Sequence, residues 1–262
     1  MSTTVHHRGK VLADHKIREL IASGEISGHD LEGRVQPASI DLVLAHGTVW
    51  EVAGIPNLTQ EFKIEKFIQE YALNSHQIDG GITLQRGRVY ILGLNVTLQL
   101  KRGIHGFANP KSSTGRIDAH AIVIGDGAKE FNVIPEGFEG QLYLILVPQS
   151  FPVQVRAGDS LAQLRLFDGK RNFLDGLSHL KKLHKELSLV HGSSDPMFTH
   201  EGVMLHLDLK VQPSNLVANR VGKPVDMAAR KSQDPRPFFR EKLLDDNGNL
   251  ILEPDERQFD RN

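Results

Sequence analysis

From Val35 to Phe167, short runs rich in Val, Ile and Leu alternate with Gly, Pro and Asp: ASIDLVL, GTVWEV, GITLQRGRVYILGL, VTLQL, AIVIG, GQLYLILV and FPVQVRAGDSLAQLRLF. Apolar runs of this length, punctuated by turn formers, predict many short strands in an all-β barrel or sandwich rather than βαβ units. Helical spacing is rarer. DHKIRELIASGEI begins at Asp14, a good N-cap, places Ile17, Leu20 and Ile21 on one face and meets Gly24 as a stop. A helix over residues 14–23 is expected. EKFIQEYAL (65–73) reads as a helix set between strands, and LDGLSHLKKLHKEL (174–187) spaces Leu177, Leu180, Leu183 and Leu187 at helical intervals.

The character of the chain changes past Phe167, which predicts three parts. Residues 1–168 form the strand-rich domain, 169–222 a helix-and-strand extension with EGVMLHLDLKV as its strand, and 223–262 a linker followed by a further piece. GKPVDMAARKSQDPRP has the polar, Pro-containing composition of an extended linker. The end, NGNLILEPDERQF, echoes DGGITLQRGRVYI at 79–91: a Gly turn, an apolar triplet, a two-residue step and a closing hydrophobe. The echo is an expectation that the chain starts a second, incomplete copy of its first domain.

Composition narrows the chemistry. Of 262 residues, 39% are hydrophobic and 24% charged, the balance of a globular protein. The 31 basic and 32 acidic side chains leave a formal charge of -1, which argues against a broad nucleic-acid surface but allows a local basic pocket. Zero cysteines exclude disulfides and thiolate metal sites and fit a cytoplasmic protein. No run approaches the ~18 apolar residues of a membrane helix. The thirteen histidines do not fall at metal-ligand spacing: His179 and His184 are five apart on the expected helix. No metal site is expected.

NPKSSTGRIDAH (109–120) packs a proline turn, a Lys, three hydroxyls, a Gly and an Arg between two apolar strands. One reading is a surface turn in which the hydroxyls cap backbone amides. The other is a phosphate site, where amides and hydroxyls hold oxygens while Lys111 and Arg116 supply counter-charge. No GxxxxGKS loop is present, so it is not a P-loop.

The neighbours of this loop decide between the two. QPASIDLVL (36–44) precedes it, and NVIPEGFEGQLYLIL (132–146) and AGDSLAQLRLF (157–167) follow. In this order the set resembles the dUTPase and dCTP deaminase superfamily, over roughly residues 11–167, and is closer to dCTP deaminase. PKSSTGR is similar to the family's serine-rich phosphate motif, QPASIDLVL to its first motif, and VIPEGFEG to its deoxyribose-side turn. The resemblance implies a mainly β fold, a distorted β-barrel with a few short helices, assembled as a trimer or as a pseudo-trimer of barrel copies, with sites at subunit contacts. It implies hydrolysis of dCTP to dUTP and ammonia without zinc, magnesium accompanying the triphosphate. By motif position Ser112 and Arg116 are the active-site hydroxyl and guanidinium. Lys111, Ser113, Glu136 and Gln163 complete the expected substrate and phosphate contacts.

The pattern departs from the family in one chemically important place. The family's catalytic glutamate lies on the strand after the GFxG turn, and its position here holds Ile145. A positioned carboxylate base contributes roughly 10²–10⁴-fold, and Glu136 or Glu139 would have to stand in for it. GDGAKEF (125–131) also reads as an insertion before the turn. Two other functions therefore stand beside the deaminase. One is a silent nucleotide-binding or assembly module, in which a second barrel copy supplies the glutamate. The other is a dUTP pyrophosphatase, disfavoured because no glycine-rich carboxy-terminal arm is visible.

Overall fold

The computed structural model describes residues 10–169, 177–191, 197–199, 202–205, 216–219, 223–229 and 232–241. It is mainly β, as the apolar runs require, and its principal sheet nearly closes into a barrel. In chain order the elements are β1 (Lys10–Val11), α1 (Asp14–Ala22), β2 (Ile26–Ser27), β3 (Val35–Gln36), β4 (Ser39–Val52) and α2 (Ile64–Tyr71). Then come β5 (Ala72–Gln77), β6 (Ile82–Leu84), β7 (Val89–Gln99), β8 (Ile104–Pro110), α3 (Ser112–Gly115) and β9 (Ala119–Gly125). They are followed by β10 (Val133–Ile134), β11 (Glu139–Pro148), β12 (Val153–Val155), β13 (Ser160–Asp168), α4 (Leu177–Leu187), β14 (Leu216–Ala218), β15 (Val225–Asp226) and β16 (Phe239–Glu241).

The main sheet runs β10-β8-β13-β4-β7-β11-β9, antiparallel throughout. ASIDLVL and GTVWEV, which read as separate runs, are one strand. A register shift between Leu44 and Val49 bends β4 where Gly47 takes φ 117°, a conformation that other residues avoid. Inward positions such as Ile40, Leu42, Leu92, Leu94, Leu144, Leu146, Leu164 and Leu166 fill the barrel, with Ile17 of α1 packed among them. Helix α1 starts one residue away from the expected cap. Ala13 is the N-cap and makes no side-chain cap bond, whereas Asp14 sits in the first turn, where its charge favours the helix dipole.

β9 returns beside β8, and one residue stitches the seam. Asn132, at φ 65°, donates its N–H to Val123 O (2.9 Å) and accepts the Val123 N–H on Oδ1 (2.8 Å). Its own carbonyl accepts the Ala108 N–H at 2.8 Å. Asn tolerates the left-handed conformation and brings the extra acceptor that this join uses.

The chain divides into two compact units, residues 1–171 with 218–238, and residues 172–217 with 239–262. The stretch read as an extended linker is a correction: it belongs to the first unit. Val225–Asp226 adds to β12 as a parallel strand, Met227 is buried in the barrel core, and Phe238 meets Phe151 edge-on at 5.7 Å. Arg156 clasps Asp226 with both guanidinium nitrogens. That pairing holds the Asp226 carboxyl below its usual range. In the second unit, α4 covers the later part of the helix expected at 174–187. An isolated bridge joins Phe198 to Val203 in place of the first residues of the expected strand. The tail echo, 247–259, lies outside the described residues.

Two measurements test these joints. Asn132→Ala should cost about 1–3 kcal/mol in chemical denaturation, because it orphans the Val123 amide and strains φ. Glu25 is buried, with Lys101 Nζ at 2.7 Å and Ser23 Oγ at 3.0 Å. Burial pushes its pKa up, but the bonds from Lys101 and Ser23 outweigh burial and hold it below the ordinary value. A carboxyl with a depressed folded pKa stabilises above its unfolded value, about 4.3, and loses that contribution as pH falls through the folded one. The excess melting temperature of wild type over Glu25→Gln should therefore be full at pH 7, shrink as pH falls past the unfolded value and vanish below the folded one.

Candidate functional site

The serine-rich loop is the tight turn Ser112–Gly115, joining β8 to β9. It is pinned from beneath by one carbonyl. The β13–β8 register, which sets Ala162 opposite Pro110, brings Leu161 O to accept both the Lys111 N–H and the Thr114 hydroxyl, each at 2.9 Å. Thr114 is fully buried, so the third hydroxyl of the loop is structural. The far side is tied down at Asp118, φ 53°. Its carbonyl accepts the Gln149 N–H (2.9 Å) and its carboxylate the Ser150 hydroxyl (2.7 Å). Ser112 and Arg116 remain exposed and Ser113 half-exposed, and no protein group among the described residues hydrogen-bonds or ion-pairs these three side chains. Two hydroxyls and a guanidinium thus stand free on a rigid turn, the donor set that a phosphate group needs.

Beside the turn lies a polar row built by strand register. Gln163 of β13 sits opposite Asp41 of β4 on one side and Asn109 of β8 on the other. Directly opposed residues in a sheet share a face. All three are half-buried, and the row is flanked by inward-facing Ile40, Leu42, Leu164 and Ala108. Gln163, expected among the substrate contacts, thus lies in this row between Asp41 and Asn109. Asp41 and Asn109 were not singled out from the sequence. A carboxylate alternating with the apolar positions of ASIDLVL was the available signal.

Lys111 and Glu136 both have protein partners. Lys111 was expected to face a phosphate, but its ammonium reaches across β13 and ion-pairs with Asp41, leaving its side chain 22% exposed and that of Asp41 11%. Glu136 was expected at the substrate. Its carboxylate instead accepts the Gly103 N–H at 2.6 Å. The antiparallel register of β10 against Phe107 and Gly106 carries the turn toward the start of β8, while the serine loop leaves from its end. At ~3.3 Å per residue, the length of β8 puts about 20 Å between them. Glu139 is likewise engaged elsewhere, accepting from Gln99 at 3.1 Å.

Ile145 occupies the most informative position of all. On β11, Leu142, Leu144 and Leu146 face the barrel core, so Tyr143, Ile145 and Val147 face outward. Register aligns Ile145 with Ile91 of β7 and Ile122 of β9, and Ile91 with Trp50 of β4. This outward face is sealed. Phe62 and Ile64 pack on it together with Leu58, Phe67 and Ile68, and Ile145 is 0% exposed. The GDGAKEF insertion fastens the cover: Asp126 accepts the Ile64 N–H (3.0 Å) and pairs with Lys63 (3.1 Å), and Gly127 donates to Phe62 O (2.8 Å).

The chain is thus a mainly β protein whose nearly closed antiparallel barrel presents two hydroxyls and a guanidinium on one turn. Comparison with known proteins gives its family. The model of the 2'-deoxycytidine 5'-triphosphate deaminase N-terminal domain matches residues 8–170, and that of the C-terminal domain of the same enzyme matches residues 177–259. The chain belongs to the dCTP deaminase family. The crystal structure of 2'-deoxycytidine 5'-triphosphate deaminase from Agrobacterium tumefaciens superposes with a TM-score of 0.83 at 33% identity, covering 95% of this chain and 72% of that one. The native EIAV dUTPase is also similar, with a TM-score of 0.35 at 17% identity over 56% of this chain and 90% of that one. That likeness is too slight to bear on the fold. No curated protein matches the sequence significantly.

Ile145→Glu tests whether the sealed face can be converted. The carboxylate would enter an apolar cluster without a partner, so the variant should lose about 3–5 kcal/mol in denaturant titrations. It should also gain no ammonia release from dCTP.

Proposed function

We propose that this chain acts in the hydrolytic deamination of dCTP to dUTP and ammonia, in pyrimidine deoxynucleotide synthesis. The observation that carries this is the 33% identity to the A. tumefaciens deaminase across 95% of the chain. The pinned turn supplies the chemistry for binding: Ser112, Ser113 and Arg116 hold the triphosphate, which enters as its magnesium complex, and Gln163 flanks it. The resemblance, with its sites at subunit contacts, supports a trimer or a pseudo-trimer of barrel copies. The cysteine-free composition supports a cytoplasmic setting.

A second reading is favoured by one specific observation. With Ile145 fully buried, this barrel has no carboxylate at the position that resemblance assigns to the base. In this reading the barrel binds nucleotide and lends its serine turn, while the glutamate comes from another barrel copy.

Incubating the purified protein with dCTP and magnesium, while following ammonia and pyrophosphate together, separates the readings. Ammonia alone is the deaminase; tight binding without product is the lending barrel; pyrophosphate alone overturns both. Arg116→Ala should weaken dCTP binding about tenfold or more, since a charge-assisted bond is lost. Unchanged binding would remove the turn from the site.

A further inference from the structure

The polar row holds a charge that the proposed function does not use. Asp41 shares its sheet face with Gln163, and among the described residues its side chain pairs with the Lys111 ammonium. Counted from the sequence, the turn presents two cations to an anion. Counted in the structure, one of them is already neutralised, because Lys111 leans back over β13 toward β4. An incoming phosphate meets a free Arg116, an occupied Lys111 and the Asp41 carboxylate behind it. Coulomb repulsion from a carboxylate at a half-buried position is screened less than at the open surface.

We infer that Asp41 is a positioning residue that holds Lys111 in reserve, and that a phosphate-bearing ligand takes Lys111 over from it. The exchange has a clear energetic consequence. Ligand binding must break a protein ion pair before Lys111 contributes, so Asp41 lowers the affinity of the turn for any anion. Gln163 sits directly opposite Asp41 on β13. Its side-chain amide can donate to Asp41 once the ammonium departs. The net charge at the turn is thereby +1 rather than +2, which penalises binding of a phosphate chain by charge alone and leaves discrimination to the hydroxyls and the fork of Arg116.

This inference rests on the serine turn being the phosphate site. The test is a set of equilibrium titrations of the full chain with dCTP plus magnesium, and separately with inorganic triphosphate, at several salt concentrations. Asp41→Asn should bind both anions about three- to tenfold more tightly at low salt and show a steeper loss of affinity with salt, because one more cation is available. Lys111→Gln should bind more weakly than wild type. The double variant should match Lys111→Gln, since Asp41 acts only through Lys111. Asp41→Glu keeps the charge and should restore wild-type affinity; the salt slope and this rescue are features that a merely structural role would not move. The inference is overturned if Asp41→Asn leaves affinity and salt slope unchanged, if it weakens binding equally with and without Lys111, or if Asp41→Glu behaves like Asp41→Asn. Wild-type affinity in both Arg116→Gln and Lys111→Gln sinks the phosphate site itself, whatever Asp41 does. Should Asp41→Asn not fold, the shape-matched neutral pair Asp41→Asn with Lys111→Gln is compared with Lys111→Gln alone, and a difference in affinity between them refutes the inference.

Discussion

The Leu161 carbonyl ties the serine turn to the barrel, accepting from the Lys111 amide and the Thr114 hydroxyl together. That bond continues the β13–β8 ladder by one pair, with Leu161 opposite Lys111, and the Thr114 hydroxyl shares the same acceptor. Everything the turn can do follows from it. With Thr114 buried as an anchor, Ser112, Ser113 and Arg116 are left to face outward on a turn that cannot flex away. A ligand that binds there meets preorganised donors, and little ordering entropy opposes the encounter.

The barrel also depends on β11 being apolar on both faces. Its LYLILV run alternates between two cores: Leu142, Leu144 and Leu146 inside, Tyr143, Ile145 and Val147 beneath α2. A strand solvated on one face would alternate with polar residues; a run without them needs cover on both sides. The α2 segment is that cover, and the 125–131 insertion locks it in place through Asp126 and Gly127. Ile145 and the 125–131 segment thus meet in one structural unit: the isoleucine is buried by the cover, and Asp126 and Gly127 hold the cover in place.

The first unit is completed by residues distant along the chain. Val225–Asp226 and Met227 come back to β12 and the core, secured by the Arg156–Asp226 pair. Polar composition concealed this. A two-residue strand and one buried methionine are enough to fix a segment when an ion pair and the Phe151–Phe238 contact reinforce them, and neither signal has a period to read.

The strand-rich barrel, the helices α1 and α2 and the location of the serine turn were legible in the amino acids alone, because alternation and turn chemistry are local properties written in adjacent residues. Ile145 was legible too, as a position lacking its carboxylate. What the tertiary structure decided was partnership. Lys111 and Glu136 look free in the sequence, yet register brings Asp41 across β13 to the first and carries the second to the far end of β8. Pairing between strands tens of residues apart sets which charges neutralise one another, and no local pattern encodes that distance.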